Sequence, residues 1–292
     1  MSRAASISAA PRALVEGEYL FTAGDFQRIA ALAYDLSGIV LNESKATLVY
    51  SRLAKRLRAL GLQSFRDYWT LVGDRADADE RGRMVTALTT NLTRFLREPH
   101  HFEDLKAKVV LPLAAAVRAG RRLRIWSAAC STGQEPYSAA MAVLEVMPDA
   151  ANHDVRILAT DIDAEVTASA RRGVYPLDLG RDIPPASRSR WFKPASDGRH
   201  LEAGPELKAL VTVRQLNLIG DWPMPGAFDA VFCRNVAIYF DEPTQERLWS
   251  RLASKLTSGG RLYAGHSERV SFPQMALEPD GLTTYAAPGR LR

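Results

Sequence analysis

Long apolar runs are missing from this chain. The longest, such as "DAVFC" and "AAAV", are far too short to cross a bilayer, so no membrane insertion is expected. The opening stretch "MSRAASISAAPRALVEG" carries two Arg and no continuous apolar segment of the signal-peptide kind. Residues 1–16 read as a flexible tail, and the chain as cytoplasmic. Cysteine is nearly absent. Cys130 and Cys233 each end an apolar run, and neither stands in a metal-binding spacing. A disulfide framework is excluded on those grounds, and buried thiols in a reducing compartment are expected. No cluster of His, Cys and Asp suggests a metal ion. The phosphate-cradling G-x-G-x-x-G pattern is absent too, which argues against a dinucleotide.

What is present is ordinary in amount: 292 residues, 47% hydrophobic and 24% charged, enough for one large core or two unequal ones. The formal net charge of +5 favours an acidic partner only weakly. A monomer is the simplest expectation.

Two textures divide the chain. Residues 17–88 show helical periodicity throughout and no strand pattern. "GDFQRIAALAYDLSGI" ends near a glycine, and "NESKATLVYSRLAKRLRALG" opens at Asn42 or Ser44 as cap and closes at Gly61. Residues 89–105 form a polar linker. In 106–292, short apolar runs alternate with helices: "RLRIWSAAC", "VRILATDID", "LVTVRQLNL", "FDAVFCRN" and "RLYAGHS" read as strands. That alternation argues an α/β sheet with crossover helices. Residues 174–210 break the rhythm, being rich in Pro, Gly, Ser and Arg. They read as an inserted subdomain with "RWFKP" and "RHLEA" as short antiparallel strands, a disordered excursion being the alternative.

In an open α/β sheet, ligands bind beyond the carboxyl ends of the strands. The first strand runs into the small-residue turn "SAACSTG", and Glu135 opens the following helix. An acid there does not suit a pyrophosphate. The second strand ends in "TDID". Asp161 stands where a carboxylate accepts from two ribose hydroxyls, though a helix cap is an equally simple role, and Asp163 reads as a cap. The fourth strand ends in "CRNVAIYF", where Asn235 offers both a donor and an acceptor. Acid, acid and amide at three strand ends describe a nucleoside site without phosphates. S-adenosylmethionine is the common ligand of that description.

The stretches "TTNLTRFLREPHHF", "SAACSTGQEPYS", "DIDAEVTASARRGVY", "FDAVFCRNVAIYFD" and "GGRLYAGHSE" resemble the CheR family, the chemotaxis-receptor glutamate O-methyltransferases. The likeness runs in order from about residue 20 to about residue 285. It implies an S-adenosylmethionine-dependent methyltransferase sheet of Rossmann-like form with a small inserted β-subdomain, preceded by an all-helical domain. It implies methyl transfer to glutamate carboxylates of an acidic helical receptor region, with S-adenosylhomocysteine as product. By matching position, Asn91, Thr93, Arg97, Glu135, Asp161, Asn217, Leu218, Asn235 and Val236 would contact the cofactor. Arg97 would also lie near the transferred methyl, and Tyr239 would face the substrate. Glu98 and His100 are expected to fix the linker rather than react. The chain departs from the family pattern at Leu96, Gln134 and Ala237, which leaves the polar positions intact. The hairpin loop "KPASDGRH" is short, so docking of a receptor tail there is not expected.

Substrate recognition is expected on the helix from Lys45 to Leu60. At 100° per residue, Lys45, Arg52 and Arg56 fall within about 40° of one another, flanked by Lys55. A solvated face is the plainer account of such a stripe; the family resemblance favours a receptor surface. Two other functions fit parts of the sequence. A nucleic-acid methyltransferase would suit the basic charge, but the fourth strand lacks the Asn/Asp-Pro-Pro-aromatic motif common in amino-group methylases, so no nucleic-acid partner is expected. A non-catalytic cofactor sensor would lack a reason to keep Arg97 and Tyr239.

Overall fold

The computed structural model describes residues 12–73, 77–270 and 276–289. The chain divides into two compact units, Met1–Thr89 and Thr90–Arg292.

The first unit is a small helical assembly: α1 (Ala23–Ser37), α2 (Ala46–Leu60), α3 (Phe65–Gly73) and α4 (Ala78–Leu88). Thr22 and Asp25 close a capping box at the start of α1, each accepting from the other's amide at 3.1 and 3.0 Å. Glycines in the left-handed conformation end α1 and α2, Gly38 and Gly61. The start of α2 departs from expectation. Neither Asn42 nor Ser44 caps it; a 3₁₀ turn over Glu43–Lys45 leads into the helix, and Ser44 donates instead to Asn42. Two short strands also enter a region that carries no strand pattern in sequence. β1 (Ala13–Val15) pairs antiparallel with β2 (Phe21–Thr22). Part of the expected tail is therefore ordered, while residues 1–11 lie outside the described residues. Phe21, Phe26, Ile29, Val49, Leu53, Leu57, Phe65, Tyr68 and Met84 fill the core.

The second unit opens with the linker, then α5 (Pro99–Asp104), a π turn (Leu105–Val110) and α6 (Leu111–Arg118). The five strand-like runs become β3 (Leu123–Ala128), β4 (Val155–Asp161), β8 (Val211–Gln215), β9 (Phe228–Cys233) and β10 (Leu256–Ala264), all parallel. Helices α7 (Gln134–Val146), α8 (Ala164–Arg172), α10 (Pro205–Leu210) and α11 (Glu242–Ser254) connect them. β11 (Glu278–Pro279) and β12 (Thr284–Ala286) add an antiparallel edge, giving the order β11-β12-β10-β9-β3-β4-β8. These two edge strands, of two and three residues, were too short to show a pattern in sequence. The strand order reverses about β3, so the crevice at a topological switch point opens at the carboxyl ends of β3 and β9.

The inserted stretch is ordered. β5 (Val174–Pro176), β6 (Phe192–Pro194) and β7 (His200–Ala203) form a three-stranded antiparallel sheet with β7 central, and α9 (Pro185–Trp191) precedes β6. Phe95 of the linker packs edge-on against Tyr175 and Phe192, with ring centroids 4.9 and 5.4 Å apart. An apolar anchor thus ties the polar linker to the subdomain. Among the described residues no helix is long and apolar enough to cross a membrane.

Candidate functional site

The turn after β3 is strained and heavily tethered. Ala129, Ser131 and Gly133 all have positive φ, at 65°, 49° and 99°. For residues with a side chain this conformation costs on the order of 1–3 kcal/mol, so surrounding bonds must hold it. They do. The Cys130 amide donates to the Thr160 carbonyl at 2.8 Å, the Ser131 amide to Asp161 Oδ2 at 2.8 Å, and the Tyr175 hydroxyl to the Thr132 carbonyl at 3.0 Å. A Cβ at Gly133 would come within 2.9 Å of Ala170 Cβ, so the turn can pass close to α8 only as glycine.

Asp161 is a loop-bracing carboxylate, not a helix cap. Its Oδ1 accepts the Asp163 amide at 3.0 Å while its Oδ2 holds Ser131. Capping of α8 falls to Asp163, which accepts from the Glu165 and Val166 amides. Burial raises the Asp161 pKa above the usual carboxylate value, partly offset by those amides. Asn91 joins the same group: its Nδ2 donates to Asp163 Oδ2 at 2.8 Å, and its carbonyl accepts from the Ser131 hydroxyl at 2.8 Å.

Glu135, in the first turn of α7, sits in a buried ionic group. Ser127 Oγ donates to its Oε1 at 2.7 Å and Arg234 Nη1 to its Oε2 at 3.1 Å. Arg234 is itself buried and lies 3.2 Å from Glu98 Oε2; it also donates to the Arg97 carbonyl. The His266 amide donates to Glu98 Oε1 at 3.1 Å. Burial raises the Glu135 pKa, against the pull of Arg234. For Glu98 burial is again the largest influence, but the Arg234 charge and the His266 bonds together outweigh it, and its pKa is lowered. Two carboxylates face one guanidinium here. The excess negative charge suits a ligand that brings a cation.

Asn235 and Val236 follow β9, with Asn235 left-handed at φ 60°. Tyr239 is half-buried at the end of a 3₁₀ turn over Ala237–Tyr239. Asn217 and Leu218 follow β8; Asn217 Oδ1 accepts the Ile219 amide at 3.1 Å, and Leu218 is buried. Thr93 and Arg97 are half-buried in the linker, where Arg97 Nη1 donates to the Leu92 carbonyl at 3.3 Å. The expected cofactor residues thus stand on the linker and at the carboxyl ends of β3, β4, β8 and β9. Among the described residues, no group of three or more His, Cys, Asp or Glu is placed to hold a metal ion.

The four expected substrate residues, Lys45 just before α2 and Arg52, Lys55 and Arg56 on it, do not form one free stripe. Arg56 makes a paired contact with buried Glu80, Nε to Oε1 at 3.0 Å and Nη2 to Oε2 at 2.5 Å. Arg52 Nη1 donates to the Ala87 and Thr89 carbonyls at the end of α4. Lys45 is half-buried and lies 3.5 Å from the Val40 carbonyl; Lys55 is exposed. Helical spacing placed the arginines on one face correctly, but could not show that the same face packs on α4.

The sequence match is decisive. Residues 91–285 match the family model "CheR methyltransferase, SAM binding domain", and residues 24–89 match "CheR methyltransferase, all-alpha domain". A probable chemotaxis protein methyltransferase from Rhizobium etli is 50% identical over 87% of this chain and 96% of its own length. Chemotaxis protein methyltransferase 2 of Pseudomonas aeruginosa is 45% identical, over 92% of this chain and 95% of that protein. The Escherichia coli chemotaxis protein methyltransferase is 40% identical, over 89% and 90%.

The chain belongs to the CheR methyltransferase family.

Within this CheR methyltransferase the second unit is the S-adenosylmethionine-binding domain. The donor set at its strand ends fits that ligand. Asp161 keeps lone pairs for hydroxyls beyond the two amides it accepts, and the Glu135–Glu98–Arg234 group leaves an anionic surplus for a charged amino group. Sequence reasoning missed Arg234 and Glu268. Arg234 stands beside Asn235 in "CRN", and an arginine at a buried strand end is a visible signal because it requires partners. Glu268, in "GHSE", offers no comparable local sign.

Proposed function

We propose that the protein transfers a methyl group from S-adenosylmethionine to glutamate side chains of a chemoreceptor, giving glutamate methyl esters and S-adenosylhomocysteine. The observation that carries this reading is the set of Glu135, Asp161 and Asn235 at three neighbouring strand ends, in a chain closely similar to proteins named chemotaxis protein methyltransferases. In it, Asp161 accepts from ribose hydroxyls, Glu135 receives the ligand's amino group, and Asn235 with Val236 borders the adenine. Asn91 and Thr93 close over the ligand from the linker, and Asn217 with Leu218 bounds it beyond β8.

When bound, S-adenosylmethionine supplies an electrophilic methyl on a sulfonium. A glutamate carboxylate with a reference pKa of about 4.3 is already ionised at neutral pH, so no general base is needed. The carboxylate oxygen forms the new O–C bond, the S–C bond breaks, and its electron pair stays on sulfur; no proton moves. The protein's task is alignment, worth roughly 7–11 kcal/mol in favourable systems. Arg97 steers the carboxylate by a charge-assisted hydrogen bond, and Tyr239 orients it. Either grip must stay loose enough not to quench the nucleophile. An acidic receptor helix would meet the first unit along α2, where Lys55 is exposed and Lys45, Arg52 and Arg56 border the same side.

The chemistry of the product tests the proposal. Receptor-rich membranes incubated with methyl-labelled S-adenosylmethionine and the protein should gain label that mild alkali releases as methanol. Base-stable label would reject carboxyl methylation.

A further inference from the structure

One carboxylate in the second unit gathers four backbone amides. Glu268 Oε1 accepts from Val236 and Ala237 at 2.9 and 2.8 Å; its Oε2 accepts from Asn235 and Gly265 at 2.8 and 2.6 Å. The residue is buried. Three of these donors are consecutive amides beginning two residues after β9, and the fourth directly follows β10. A carboxylate satisfied in this way anchors backbone strongly, because each bond is charge-assisted and shielded from water.

What it anchors is the segment that presents Asn235, Val236 and Tyr239. Asn235 adopts the left-handed conformation, which helps turn three successive N–H groups toward one point and forms a concavity suited to an anion. The neighbouring geometry leaves no slack. A Cβ on Gly265 would come within 2.7 Å of Asn235 Nδ2 and 2.8 Å of Glu268 Oε2, so glycine there is what lets the two loops meet. Ala237, the last of the three, opens the 3₁₀ turn that ends at Tyr239, and the Tyr239 amide donates back to the Val236 carbonyl.

We infer that Glu268 is a positioning residue for methyl transfer. Its carboxylate sets the backbone from Asn235 to Tyr239, and so fixes both the cofactor-facing amide side chain and the substrate-facing phenol, with its own oxygens taken up by backbone amides. This inference rests on the functional reading given above for Asn235 and Tyr239. Glu268→Gln is the sharp variant, since it keeps shape but replaces one acceptor by a donor that faces amide N–H groups. Loss of positioning and simple loss of stability leave different marks. Well below its melting temperature a merely destabilised chain stays almost wholly folded, so its ligand affinity and kcat are unchanged. Mispositioning weakens the ligand itself.

The experiment measures S-adenosylhomocysteine binding by calorimetry on the full chain, for wild type, Glu268→Gln, and Leu248→Ala as a destabilised control in the buried face of α11. All are assayed well below their melting temperatures. Glu268→Gln is expected to weaken binding at least ten-fold, with a raised KM for S-adenosylmethionine and a lowered kcat, whereas Leu248→Ala binds like wild type. Binding by Glu268→Gln within two-fold of wild type overturns the inference. Amide hydrogen exchange on the ligand-free wild type gives a second reading that does not require the variant to fold. Asn235, Val236 and Ala237 amides should be protected at least a hundred-fold over an open chain; exchange at the open-chain rate overturns the inference. If wild type binds no S-adenosylhomocysteine, the reading of the site fails, while the exchange result still judges whether Glu268 holds this loop.

Discussion

The Ser131 amide donates to Asp161 Oδ2 at 2.8 Å, and through that bond the end of β4 holds the strained turn that follows β3. One carboxylate therefore has two tasks: bracing a loop and offering its remaining lone pairs to a ligand. Asp161→Ala should remove both. S-adenosylhomocysteine affinity should fall by about 1.5–3 kcal/mol, the range for hydrogen bonds to a charged group. The melting temperature should fall as well, because the Ser131 and Asp163 amides lose their acceptor. Calorimetry beside a thermal melt checks both. An unchanged dissociation constant with a lowered melting temperature would leave Asp161 as a brace alone.

Arg234 predicts a second outcome. It is the guanidinium between Glu98 and Glu135, so Arg234→Met should leave the buried Glu135 carboxylate and the partly buried Glu98 carboxylate without their shared cation. Breaking a buried pair in this manner costs roughly 3–5 kcal/mol. Adding Glu135→Gln to the same chain should recover part of the loss, since one of the two opposed charges is then gone. Urea unfolding of the two single variants and the double variant measures the coupling. Strict additivity would mean that the pair contributes nothing as a pair.

His101 gives a dependence on pH. It is fully buried beside Tyr263, and burial, the Arg234 charge and the His100 charge, in that order, lower its pKa to about 3. The folded state therefore binds fewer protons than the unfolded state between about pH 6.5, the ordinary His value, and about pH 3. Stability should fall as pH drops through that window, by at most about 1.4 kcal/mol per pH unit for one proton. Glu98, whose pKa is lowered, adds a loss of the same sign but only once pH falls into the carboxylate range. Between about pH 5 and 6.5 comparison with a variant lacking the imidazole isolates the His101 contribution. Unfolding free energies there should slope less steeply in His101→Gln. Equal slopes would mean that His101 is protonated in the folded protein.

Much of this site was legible in the sequence for a simple reason. Strand ends and helix starts are local features, and Glu135, Asp161 and Asn235 each stand at such a boundary. The five parallel strands were legible because each centres on a short cluster of apolar residues and alternates with a helix. What the sequence could not display is what depends on partners far along the chain. Glu268 lies about thirty residues beyond three of the four amides it gathers. Asp161 was open between ribose acceptor and helix cap because both roles begin with an acid after a strand; the cap of α8 is Asp163, and Asp161 braces Ser131 thirty residues back. β12 is a strand because β10 offers it an edge, and β11 pairs in turn on β12.

The basic face of α2 carries the last prediction, and the structure divides it. Arg56 is spent inside the first unit, paired to Glu80, which also accepts from the Tyr68 hydroxyl at 3.1 Å. Arg56→Ala would leave the buried Glu80 carboxylate without its cation, at a cost of roughly 3–5 kcal/mol. Lost receptor methylation in that variant would therefore report damage to the helical unit, not a lost receptor contact. Lys55 is exposed, and reversing its charge should leave the core untouched. If α2 meets an acidic receptor helix, Lys55→Glu should lower kcat/KM for receptor several-fold, with unchanged melting temperature and unchanged S-adenosylhomocysteine affinity. Wild-type activity should also decline with added salt, because exposed charges are screened over a Debye length of about 8 Å at physiological ionic strength. The variant should decline less. Methylation measured against receptor concentration at two salt levels, for both proteins, makes the comparison. Superimposable curves would remove α2 from the receptor surface and leave Lys55 a solvated side chain.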